Sequence, residues 1–153
     1  MGPQTEIHFH ANGTVRPTQE HLAEFAKFEN FLLVFSIDDI EEQFEILRWP
    51  AKWNEVVENI LWLKENSPNN VKFAFNVVIS KLNESTYHRV EQWMKHNVPT
   101  NKVGVDTIFY TNETNGLLNR KDPLDSRDPV AFLDELDQKR NTDWRKVFPL
   151  VKL

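Results

Sequence analysis

Cysteine is absent from this chain of 153 residues. Without thiols it forms no disulfide, offers no thiolate nucleophile, and supplies no cysteine ligand to zinc or to an iron–sulfur cluster. Glycine is scarce as well, with four residues, and neither a G-x-G-x-x-G turn nor a P-loop occurs to cradle phosphates. A G-x-S-x-G nucleophile elbow is also missing. No apolar run approaches the roughly 20 residues needed to cross a bilayer, and no basic stretch leads into an apolar one at the amino terminus. That pattern reads as a cytoplasmic chain with no membrane partner. Positive charge is in deficit, 18 Lys and Arg against 23 Asp and Glu for a net charge of −5, the wrong sign for a general nucleic-acid binder.

Aromatic bulk, by contrast, is plentiful. Eleven Phe and five Trp furnish a core for one globular domain, or for part of a larger one. Apolar and polar residues alternate from Thr5 to His10, which predicts a strand, and Asn12-Gly13 then signals a turn. Apolar spacing at Leu22, Phe25, Ala26 and Phe28 predicts a helix from Thr18. Phe31 to Phe35 is a continuous apolar run, the signature of a strand buried on both faces. Ile40 to Leu47 has helical spacing, and a longer helix follows with Pro50 near its first turn and Trp53, Val56, Ile60 and Leu63 on its apolar side. Val71 to Ile79 predicts a third strand, Tyr87 to Asn97 a helix, and Val103 to Tyr110 a fourth strand. Thr111 to Arg127 is polar and reads as a long loop; Pro129 opens a last helix, before a short segment from Trp144 that docks by its apolar residues. Strands alternating with helices at these intervals predict an α/β fold, a partial (β/α) barrel of about four parallel strands plus carboxyl-terminal helices. Residues 1–110 make the half barrel and 111–153 the loop and helical extension. Four parallel strands leave open sheet edges, so the chain is expected to be incomplete alone.

The stretch from Phe31 to Pro50 is the organising one. Its strand stops at Ser36-Ile37-Asp38-Asp39, and Arg48 follows about three helical turns later. Ligands of α/β proteins sit where strands end and loops begin. Asn12 and Gly13 end the first strand, Ser36 and Asp38 the second, Asn83 follows the third, and Thr111 and Asn112 the fourth. A parallel sheet puts all of these on one side, a polar floor of hydroxyls, amides and carboxylates beside Arg48. Carboxylates accept from ribose hydroxyls and arginine grips a carboxylate through two bonds, so the floor suits a ligand with a ribose and an amino-acid group. The plainer reading has Asp38 and Asp39 capping the next helix. His8 and His10, two apart on a strand, face one way; with a third ligand such as Asp38 or Asp106 they would hold a hydrolytic metal. His21, His88 and His96 fall in helical segments, pointing away from the strand ends. The tryptophans, in helical or terminal positions, read as core or docking residues rather than as a platform for bases.

Taken in order, these rims resemble a known series. Ala11-Asn12-Gly13-Thr14 is similar to the T-N-G-T of radical S-adenosylmethionine enzymes, and Ser36-Ile37-Asp38-Asp39 to their S-I-D-G strand end. Arg48 and the segment Trp53 to Ile60 resemble their R-x-x-x-x-(W/F)-x-x-(V/T)-x-x-N-I helix. Asn76 to Asn83 resembles the following strand, and Phe132 to Pro149 the ending of members with a short twitch-like extension. The resemblance implies a partial barrel that holds S-adenosyl-L-methionine at its strand ends, with Ser36, Asn12 and Asn83 on the floor, Arg48 near the carboxylate and Asp38 facing cofactor or substrate. In that family a 4Fe–4S cluster cleaves the sulfonium to a 5′-deoxyadenosyl radical. The C-x-x-x-C-x-x-C loop and the G-G-E motif of the family do not occur here, Ala11 stands for the leading Thr, and Asp39 for the Gly. The resemblance therefore implies a cluster-bearing amino-terminal half supplied by a partner chain, or else a binding module without turnover. A metal-dependent hydrolase using His8 and His10 is the third expectation.

Overall fold

The computed structural model describes residues 5–111 and 128–151. Its elements run β1 (Glu6–Ala11), α1 (Gln19–Phe25), β2 (Asn30–Ser36), α2 (Glu41–Leu47), α3 (Trp53–Asn66), β3 (Val71–Ile79), α4 (His88–Asn97), a 3-10 turn (Thr100–Lys102), β4 (Ile108–Thr111), α5 (Pro129–Arg140) and α6 (Trp144–Val147). The strands form one sheet in the order β1-β2-β3-β4, and every pairing is parallel. The α/β reading with a four-stranded parallel sheet is thus correct. Most of the polar stretch read as a loop, including Asn112, lies outside the described residues.

The two faces of the sheet differ. Successive side chains of a strand alternate between faces, and Phe31, Leu33 and Phe35 of β2 join Val71, Phe73, Phe75 and Val77 of β3 on one of them. Against this face pack Leu22 of α1, Val56, Ile60 and Leu63 of α3, and Val90 and Met94 of α4. Phe35 meets Phe73 and Phe75 edge-on, at 5.5 and 5.8 Å between centroids, the arrangement aromatic rings prefer. The other face carries a small cluster of Leu32, Val34 and Ala74, which no residue of the described helices joins. A second core, formed by Leu82, Leu133, Trp144 and Phe148, seats α5 and α6 against Ile46 and Leu47 of α2.

Three boundaries depart from the sequence reading. Helix α1 ends at Phe25, yet Phe25 and Phe28 still pack on Phe31 at 4.2 and 5.9 Å; apolar spacing recorded burial there, not helix. Pro50, expected near the first turn of α3, stands three residues ahead of its start at Trp53. The fourth strand is only Ile108–Thr111, with Val103 making a single bridge to Phe73. At the intervening Gly104 the backbone donates to Phe73 O and lies so close to Leu32 and Lys72 that a Cβ would collide with both. Chain and sheet approach too closely for regular pairing.

Lys102, in the 3-10 turn, is buried without a carboxylate partner among the described residues. Its ammonium donates to Ser67 O at 2.9 Å, Ser67 Oγ at 3.0 Å and Pro68 O at 2.8 Å. Burial, helped by the nearby Lys72, pushes its pKa below the ordinary lysine value. Ser67 is the residue that ends α3, so the cation meets the negative end of that helix.

Candidate functional site

The β1–α1 loop is built by its own small residues. Gly13 has φ +77°, and a Cβ there would stand 2.8 Å from Val56 Cγ1, so glycine alone fits both the backbone and the close approach. Asn12 Oδ1 accepts from Thr14 N at 3.0 Å and Thr14 Oγ1 at 2.8 Å, closing the turn. Below it Asn59 of α3 is buried, donating Nδ2 to Gly13 O at 2.9 Å while its Oδ1 accepts from Arg16 Nε at 3.0 Å.

At the end of β2, Asp38 is nearly buried and pairs with Arg48. Oδ1 accepts from Arg48 Nη2 at 2.9 Å and from Val78 N at 2.9 Å. Oδ2 lies 2.7 Å from Arg48 Nε, an ion-pair contact off the axis of a hydrogen bond. Asn83, fully buried, donates Nδ2 to Asp38 O at 2.6 Å and Val78 O at 3.0 Å, and accepts from Ser80 N at 2.7 Å. Asn83 thus ties together the ends of β2 and β3 and has no free capacity for a ligand.

Asn12 and Arg48 line one hollow of about 570 Å³ with Thr14, Trp49 and Glu55. Trp49 is 38% exposed; Lys52 Nζ lies 5.7 Å and Arg140 Cζ 5.4 Å from its ring centroid. The sequence reading assigned no tryptophan to a site, and this one stands in the turn between α2 and α3, at the hollow. Ser36 does not line the hollow. Its register partner is Asn76, and period-two alternation puts both on the face that carries Leu32, Val34 and Ala74. The Oδ1 of Asn76 is buried there with no hydrogen-bond partner among the described residues.

Asp39 is the most buried acid among the described residues, at 0% exposure. It does not cap α2, whose N-cap is Ile40 with no side-chain bond. Oδ1 accepts from Ile40 N at 2.9 Å and Oδ2 from Thr86 Oγ1 at 2.5 Å, with Arg89 Nη1 3.9 Å away. Burial raises its pKa, outweighing Thr86, Ile40, Arg89 and His88, which lower it. The folded chain therefore holds this proton to higher pH than the unfolded chain, and stability falls as pH rises through that interval. The contribution is complete below the ordinary aspartate value of about 3.9 and lost above the raised one. Asp39→Asn should flatten that slope in urea unfolding measured across a pH series; an unchanged slope would assign it to other groups.

The histidines lie differently from expectation. A helix following a parallel strand starts at that strand's carboxyl end, so His21 and His88, in the first turns of α1 and α4, stand on the strand-end side. Asp106, exposed and ahead of β4, is on the opposite side. His8 Nε2 contacts Glu6 Oε1 at 2.7 Å, and no group of three His, Asp or Glu able to hold a metal gathers among the described residues. No helix among them is long and apolar enough to cross a membrane. No family model matches this sequence, and no curated protein or solved structure matches it.

Proposed function

We propose that this chain binds a nucleoside-bearing amino-acid ligand of the S-adenosyl-L-methionine type in the strand-end hollow, as the back half of a radical S-adenosylmethionine-like barrel acting in the cytoplasm. The observation that carries the reading is that Asn12 and Arg48, far apart in sequence, line one hollow. The hollow has the groups such a ligand requires. Glu55 and Asn12 suit ribose hydroxyls, the exposed face of Trp49 suits a purine, and the guanidinium of Arg48 suits a carboxylate. Asp38 holds that guanidinium through Nε and Nη2, leaving Nη1 without a partner among the described residues.

Radical chemistry in this reading requires a 4Fe–4S cluster on a partner chain, since this one has no cysteine. The pairing of Asp38 with Arg48 also favours a second reading, a binding module without turnover, because it commits the carboxylate and much of the guanidinium to each other.

Calorimetric titration with S-adenosylmethionine tests the binding. Arg48→Lys keeps the charge beside Asp38 but has no further nitrogen to hold a ligand carboxylate at the same time, and should weaken binding by about 1.5–3 kcal/mol. Absence of saturable binding, or equal affinity in the variant, would remove the ligand from this hollow. Iron that co-purifies anaerobically with a second polypeptide would select the split enzyme over the binding module.

A further inference from the structure

A second cavity, of about 560 Å³, opens between β1, the β1–α1 loop, α1 and α3. Its walls are Phe9, Phe25, Leu33, Phe35 and Leu63, and its size and apolar lining are those of small-molecule sites. None of its lining residues is acidic, although the chain as a whole carries −5; its polar groups are Asn12, Arg16, His10 and His21.

Two of those groups are held ready. Arg16 is anchored through Nε by the buried Asn59, and its guanidinium lies 5.4 Å from the Trp62 ring centroid. Its two terminal nitrogens have no hydrogen-bond partner among the described residues, so a fixed fork of donors faces no carboxylate. His21 Nδ1 accepts from Thr18 N at 3.2 Å, which places the proton of the neutral ring on Nε2 and makes that nitrogen a donor.

We infer that this cavity is a binding site for an amphipathic monocarboxylate, its apolar tail among the phenylalanines and leucines and its carboxylate on Arg16 and His21. The occupant is a free acid, because the apolar walls enclose a tail while the guanidinium of Arg16 and the Nε2 donor of His21 sit beside it. The site is separate from the strand-end hollow, although the β1–α1 loop contributes Asn12 to both.

Decanoate and decan-1-ol are the probes, titrated calorimetrically into the full chain below the concentration at which decanoate forms micelles. Decanoate should saturate at one per chain and bind about tenfold more tightly than decanol, the difference of one charge-assisted bond. Arg16→Gln, at an exposed position, gives up the bond to Asn59 Oδ1 and should erase that preference, with thermal melting confirming that the variant folds. Ala11→Phe, which fills the cavity from β1, should abolish uptake of both probes; thermal melting reports whether it folds, and Arg16→Gln decides the matter if it does not. Absence of saturable binding, equal affinity for acid and alcohol, or a preference that survives Arg16→Gln would each overturn the assignment. A sedimenting dimer that takes up no decanoate and dissociates in Phe9→Asp would overturn it too, giving the cavity to a contact between copies. None of these results bears on S-adenosylmethionine binding.

Discussion

Replacing Asn83 with alanine should cost about 3–5 kcal/mol in unfolding free energy, the largest effect expected of any single exposed-loop or rim position. The side chain is wholly buried and serves three backbone groups, Asp38 O, Val78 O and Ser80 N. Each buried group left without a partner costs roughly 1–3 kcal/mol, more than the bond it lost was worth. The bonds from Thr86 N and Tyr87 N to the main-chain Asn83 O survive the substitution, so the loss is confined to the partners of the side chain. Asn83→Asp isolates the amide's role: it keeps the shape and the acceptor for Ser80 N but loses the two donated bonds, and places a charge in a dry site. It should be no more stable than Asn83→Ala. Urea unfolding decides, and a loss under about 1 kcal/mol in Asn83→Ala would mean that water replaces the amide.

Arg48→Met should cost about 2–4 kcal/mol. Its guanidinium is the counterion of Asp38, whose side chain is 12% exposed, and removing one member of such a pair leaves a charge with little solvent. The Val78 N–H bond to Asp38 Oδ1 survives and limits the loss. The double variant Asp38→Asn/Arg48→Met removes the stranded charge and keeps an acceptor for Val78 N, so it should be more stable than Arg48→Met alone. That ordering distinguishes a stranded carboxylate from a simple loss of packing: if the double variant is the less stable, the pair matters through packing. The same logic explains the choice of Arg48→Lys for ligand titrations, since it keeps a cation beside Asp38.

Much of this was legible in the sequence. Long strands with β-branched and aromatic residues, Val71–Ile79 above all, and the apolar run Phe31–Phe35 announced parallel strands, because a strand covered on both faces has little room for polar residues. The strand ends were legible for the same reason: apolar character stops at Ser36, and polar side chains gather there. What could not be read was which of those side chains face a ligand and which face one another. Asn83 and Asp38 look like site residues in sequence, and in the fold they satisfy backbone groups and Arg48. Ser36 fell to another face because one residue of strand register decides the side a group takes. Trp49 is not legible as a site residue because its surroundings come from the α2–α3 turn and from Arg140, more than ninety positions away by number. Lys102 gave no signal at all; its partners are carbonyls at the end of α3, and backbone acceptors have no residue type to recognise.

The sequential strand order has a bearing on how the molecule is made. Each strand lies beside the one synthesised just before it, so every new pairing closes over a single intervening connection and never waits for a distant segment. Loop closure grows costlier with the length closed, and topologies rich in near-neighbour pairings assemble faster. A chain emerging from the ribosome can therefore lay β2 on β1 and then β3 on β2 in the order of their translation. Each of the two inner strands finds its first partner already in place when it arrives.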